Sequence, residues 1–152
     1  MKKQEFKPFL FRSAVIAMAS DGNIAESEIE TIKNLANDEI YFLGLDYREL
    51  LDKFVSEIKL SGKLAINNYL NELSEAKLST HQELQIIEVI LAVINADNIT
   101  EEGELKFLQL VKSKLNIDQE TLIVQFPNYI DQLLDFKNYG MYNEFSDEIK
   151  ID

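Results

Sequence analysis

Two short acidic segments carry the chemistry that this sequence could perform. One is Asp21-Gly22-Asn23-Ile24-Ala25-Glu26-Ser27-Glu28; the other runs from Asp97 to Glu104. Each opens on an Asp and ends on a Glu seven residues later. Carboxylate oxygens are hard ligands and suit Ca²⁺ or Mg²⁺. Asp21, Glu28, Asp97 and Glu104 are therefore the candidate ligands of a divalent cation. The first segment also matches the back half of an EF-hand loop, with Asp21 at position 5, Gly22 at 6 and Glu28 at 12. Positions 1 and 3 would then be Ala17 and Ala19, which have no ligand oxygen, so an EF-hand is excluded.

The same residues also read as helix punctuation. Gly22 can supply a positive φ at the end of one helix. Ile24 can pin the loop to a core. Glu26 and Glu28 fall in the next helix's first turn, where acids favour the macrodipole. Glu28 can reach back to a free backbone N–H, and Thr100, Glu101, Glu102 and Glu104 repeat the pattern. One loop alone is a thin ligand set, and a further carboxylate would strengthen it. Glu88 is the candidate, as the only charge between Leu84 and Ala96. A buried carboxylate needs a partner. Asp97 is nine residues away, on the order of 13 Å along a helix, and cannot share a site with it. Two arrangements remain. Glu88 forms an ion pair with Arg12, or it joins Asp21 and Glu28 while Arg12 lies beside Asp97 and Glu104. The second requires the helices carrying Arg12 and Glu88 to pack antiparallel.

Helices must position all of these groups. Phe6, Phe9, Leu10, Ala14, Ala17 and Met18 predict a helix over about 6–20, with Pro8 in its first turn. Ile29, Ile32, Leu35 and Ala36 predict a second over 25–37. A third starts at Asp46, with Glu49 completing a capping box, and a fourth covers 62–74. The fifth opens on Thr80-His81-Gln82-Glu83, read as another capping box, and runs apolar on nearly every side from Leu84 to Ile94, as a buried helix does. A sixth spans 101–115, a seventh starts at Asp118 and a short one follows Pro127. No strand pattern or phosphate-binding glycine loop is visible. The expected fold is an all-α bundle of about seven helices, with a domain over 1–137 and a loosely held acidic tail over 138–152.

The bundle contains a repeat. Shifted by 76 positions, Phe11 through Asp21 lies over Ile87 through Asp97 without a gap. Further on, Glu28 lies over Glu104, Ile32 over Leu108 and Leu35 over Val111. Halves at about 8–37 and 84–115 thus each read apolar helix, acidic loop, amphipathic helix. Two such hairpins can share one pseudo-symmetric core.

Composition bounds the function. The 152 residues carry 15 Lys plus Arg against 27 Asp plus Glu, a net charge of −12. That balance repels nucleic acid and anionic membrane surfaces. No Cys and a single His exclude thiolate chemistry and multi-His zinc sites. No apolar run approaches the ~20 residues of a membrane span. A cytoplasmic location is expected.

The segment Ala17-Met18-Ala19-Ser20-Asp21-Gly22-Asn23-Ile24 through Glu28, with its second copy at Asn95-Ala96-Asp97-Asn98 through Glu104-Leu105, resembles the tellurite-resistance TerB family and the N-terminal domain of DjlA-type co-chaperones. The resemblance covers roughly residues 8 to 116. It implies a compact helical bundle with pseudo-two-fold halves, divalent-cation binding by Asp21, Glu28, Asp97 and Glu104, and a role in chemical stress resistance beside protein partners. The second copy departs from the pattern: Asn98 stands where Gly is common, and Thr100 fills the isoleucine position. The expected function is a non-enzymatic, cation-binding stress-response or scaffold module. The alternative is a metal-independent interaction domain whose loops are only caps. Tyr139, Tyr142 and Phe145 form a C-terminal aromatic set that could meet a protein partner. Phe6, Phe9 and Phe11 read as core, and His81 as a structural or exposed residue.

Overall fold

The computed structural model describes residues 1–38, 42–96, 102–134 and 149–151. The chain runs α1 (Lys3–Ala19), β1 (Asn23–Ile24), α2 (Glu26–Asp38), α3 (Tyr47–Ser61), α4 (Lys63–Glu75), α5 (Thr80–Ile94) and α6 (Glu102–Lys114). It continues through α7 (Gln119–Gln125), a 3-10 turn (Pro127–Tyr129), α8 (Ile130–Leu133) and β2 (Lys150–Ile151). The fold is an all-α bundle. Asp97, Asn98, Thr100, Tyr139, Tyr142 and Phe145 lie outside the described residues.

The 76-residue repeat is present in the helix boundaries. α2 and α6 are both 13 residues long, and Glu26–Asp38 shifted by 76 is Glu102–Lys114. Ile32 and Leu108, equivalent in the repeat, are both fully buried. The most buried helix, however, is α1 rather than α5. α1 buries Phe6, then Phe9 to Phe11, then Ser13 through Ala19, and it packs against α2, α3, α4, α5 and α6. α5 leaves His81, Glu88 and Ala92 exposed. Their spacing of seven and four places them on one stripe, so α5 keeps one wet edge. The aromatics read as core are core. Phe11 stands edge-on to Phe42 at 5.7 Å, and Phe9 lies 5.2 Å from Tyr69.

Several local expectations shift. α1 begins at Lys3, so Pro8 is its sixth residue rather than part of its first turn. The proline N–H missing there would have bonded to the Gln4 carbonyl. Asp46 precedes α3 without a side-chain capping bond. The capping box of α5 lies one residue before Thr80: Ser79 Oγ accepts the Gln82 N–H, and Gln82 Oε1 accepts the Ser79 N–H. Ser79 has the extended backbone that a cap needs. Glu83 is thereby left to the interior, where it accepts the backbone N–H of Asn116. Asp118 does cap α7, accepting the Thr121 N–H at 2.8 Å.

Of the segment expected as a loose tail, 138–148 lie outside the described residues, and 149–151 are anchored. β2 pairs in parallel with β1, Asn23 opposite Lys150 and Ile24 opposite Ile151. Ile149 is only 5 % exposed. This strand pair is short, and no alternating pattern announces it.

Candidate metal centre

α1 ends at Ala19, and Gly22 turns the chain with φ of +91°. That left-handed conformation is what the sequence pattern requires of a glycine there. The loop then secures its own backbone. Asp21 Oδ1 accepts the Asn23 N–H at 2.9 Å, and Glu28 Oε1 accepts the Ala25 N–H at 3.2 Å. Glu28 is the third residue of α2, so this second bond is the reach-back half of a capping box. Between these bonds, Ile24 is fully buried and anchors the loop.

α6 reaches the same place from the other half. A Cβ on Gly103 would lie 2.4 Å from the Ser20 carbonyl oxygen and 2.9 Å from the Asp21 Cα. Only glycine permits that approach. Gly103 therefore lets the first turn of α6 rest on the backbone where α1 ends. The next residue, Glu104, is 5 % exposed and is delivered to the first loop.

The result is a cavity of about 240 Å³ lined by Asp21, Asn23, Ser27, Glu28 and Thr31 from the first half and by Val93, Ala96 and Glu104 from the second. Three of the four matched acids thus share one cavity. Its polar lining consists of three carboxylates, one amide and two hydroxyls. Among the described residues, no group of three or more His, Cys, Asp or Glu is arranged to hold a metal ion.

Glu88 takes no part. The N-terminal parts of α1 and α5 line one cavity, through Lys3, Lys7, His81 and Gln85. The C-terminal end of α5 shares the acidic cavity with Asp21, just beyond α1. The two helices therefore run in the same direction, not antiparallel. Glu88 is near the middle of α5, and it is exposed. The Arg12–Glu88 pair is also absent: Arg12 bonds to Glu72 on α4. An exposed carboxylate has no desolvation cost to offset, so Glu88 needs no partner. Arg12 also lies 5.7 Å over the ring of Tyr69. The Tyr69 hydroxyl bonds to Ser13 Oγ, and burial pushes its pKa above the ordinary tyrosine range, so it stays protonated. This arrangement locks α1 to α4, away from the acidic cavity.

Gly103, which brings α6 against the end of α1, and Glu72, the partner of Arg12, are residues that reading the sequence missed. A glycine in the first turn of a strongly periodic helix was the available signal for Gly103. Glu72 lies outside the repeat, and nothing in its spacing marks it. Among the described residues, no helix is long and apolar enough to cross a membrane. No family model, no curated protein and no solved structure matches this chain.

Proposed function

We propose that this chain is a non-enzymatic helical module that binds a divalent cation, Ca²⁺ or Mg²⁺, in the cavity between its two halves. Its setting would be a stress-response or scaffold role like that associated with TerB-like proteins. One observation carries the reading: Asp21, Glu28 and Glu104 line a single cavity although they come from the two copies of the repeat. Glycine at 103 serves that convergence. The N-termini of α2 and α6 oppose a cation, and three carboxylates outweigh those dipoles. An ionised carboxylate has about four lone-pair positions, so accepting an N–H and ligating a cation are compatible. Mg²⁺ keeps several waters and needs only one or two carboxylates, whereas Ca²⁺ takes six to eight oxygens. The cavity suits an ion that retains part of its water shell, with Asn23, Ser27 and Thr31 as neutral neighbours.

Calorimetric titration with Ca²⁺, Mg²⁺ and Mn²⁺ tests the reading. Binding tighter than about 1 mM is expected for the wild type. Asp21→Ala/Glu28→Ala and Glu104→Gln should each weaken it at least tenfold. No binding by the wild type at millimolar ion would remove the cation from the proposal.

A second reading has its own support. Asp21 and Glu28 each accept a backbone N–H inside their own loop, as pure capping residues would. On this reading the module recognises a protein partner without metal. Asp21→Ala/Glu28→Ala would then lower the melting temperature equally with and without added Ca²⁺.

A further inference from the structure

The C-terminal strand meets the acidic loop between its two carboxylate-bearing ends. Asn23 and Ile24, the residues of β1, are two of the six that separate Asp21 from Glu28. The N–H of Asn23 is bonded to Asp21 and that of Ala25 to Glu28. Ile24 therefore has the loop amide left to pair with β2. Side-chain burial holds the strand in place: Ile149 is 5 % exposed, and Ile151 packs against the core that encloses Ile24. A two-residue ladder has little stability of its own. Its grip therefore depends on seating these two isoleucines.

We propose that residues 149–151 are a latch on the acidic loop. Docked, the strand fixes the backbone between Asp21 and Glu28 and holds their carboxylates in place for a cation. This inference rests on the cation reading of the cavity. Linkage then makes the effect mutual: whatever factor docking adds to cation affinity, the cation adds to docking. The occupant of the loop's open edge is this chain's own segment 149–151, seated as an added strand.

Amide hydrogen exchange by NMR tests the latch without any metal. Three proteins are compared: the full chain, a chain ending at Glu148, and the full-length Ile151→Asp variant, which replaces a core-packed side chain by a charge. The Ile24 amide should exchange at least tenfold faster in both altered proteins, while α5 amides keep their protection. Titration with CaCl₂ should show affinity at least fivefold weaker in both, and added Ca²⁺ should slow Ile24 exchange in the wild type. Unchanged Ile24 exchange in both altered proteins overturns the latch. Faster exchange with equal Ca²⁺ affinity overturns the coupling. If none of the three proteins binds Ca²⁺, the cation reading and the coupling fall together, while the exchange rates still decide the latch. If the shortened chain loses helix by circular dichroism, Ile151→Asp decides alone.

Discussion

Replacing Gly103 by alanine sets two effects of opposite sign against each other. Helix propensity alone favours the change, by about 1 kcal/mol in a helix interior. Packing opposes it. The new methyl would lie 2.4 Å from the Ser20 carbonyl oxygen, whereas ordinary contact begins at 3.4 Å. The first turn of α6 must therefore retreat by the difference, about 1 Å. The obstructing atoms are backbone, so no side-chain rotation relieves the contact. Overpacking of this kind costs typically 1–3 kcal/mol. Subtracting the propensity gain from the middle of that range leaves a net loss of about 1 kcal/mol. For a chain of this length that corresponds to a fall in Tm of about 2–4 °C. Differential scanning calorimetry of the wild type and Gly103→Ala measures it. The same displacement carries Glu104 out of the cavity, so cation affinity should fall as well. A rise in Tm of 2–4 °C would refute the reasoning, because the propensity gain would then be acting unopposed and α6 would not rest on the α1 terminus.

Two further outcomes follow from the geometry. A urea double-mutant cycle on Arg12→Ala and Glu72→Ala should give a coupling of up to ~1 kcal/mol, as for a partly exposed pair; Arg12 with Glu88 should be additive within ~0.5 kcal/mol, and a larger value there would restore the pairing that the repeat suggested. The side-chain and backbone hydrogen bonds from Thr121 hold the exposed Asp118 carboxyl below its ordinary pKa. Because the folded value is the lower one, the cap's contribution is complete above the ordinary carboxylate range and is lost as pH falls through the folded value. Backbone chemical shifts of α7 should therefore lose helical character on acidification below about pH 4, and Asp118→Ala should remove that pH course; an identical course in the variant would exclude Asp118 as its source.

The helices were legible because their signals are local. The stripe Ile29, Ile32, Leu35, Ala36 predicts α2 within a residue at each end, and the repeat predicts α6 from it. The gathering of acids was half legible. Matching Glu28 to Glu104 marked both residues, but only the approach of Gly103 to Ser20 shows that they share one cavity with Asp21. Helix direction was not legible. Periodicity reports which face is apolar, not which way a neighbour runs, and so Glu88 was brought to a site that it does not approach. The partner of Arg12 was hidden for a similar reason, since Glu72 belongs to α4, outside the repeat. Ser79 and Thr80 are both acceptable caps by type, and the choice depends on which backbone is extended. β2 left no trace, because two paired residues are too few to make a pattern.

The placement of α1 has a consequence for biosynthesis. A helix buried on so many sides finds its neighbour α5 only after residue 80 and later ones have been made. At 5–20 residues per second, the 76 residues separating equivalent positions take roughly 4 to 15 s to emerge. Throughout that interval the nascent chain presents the apolar run from Phe9 to Ala19 without the helix it packs along. The strand at 150–151 comes later still, so its pairing with Ile24 forms only after α8 has been made.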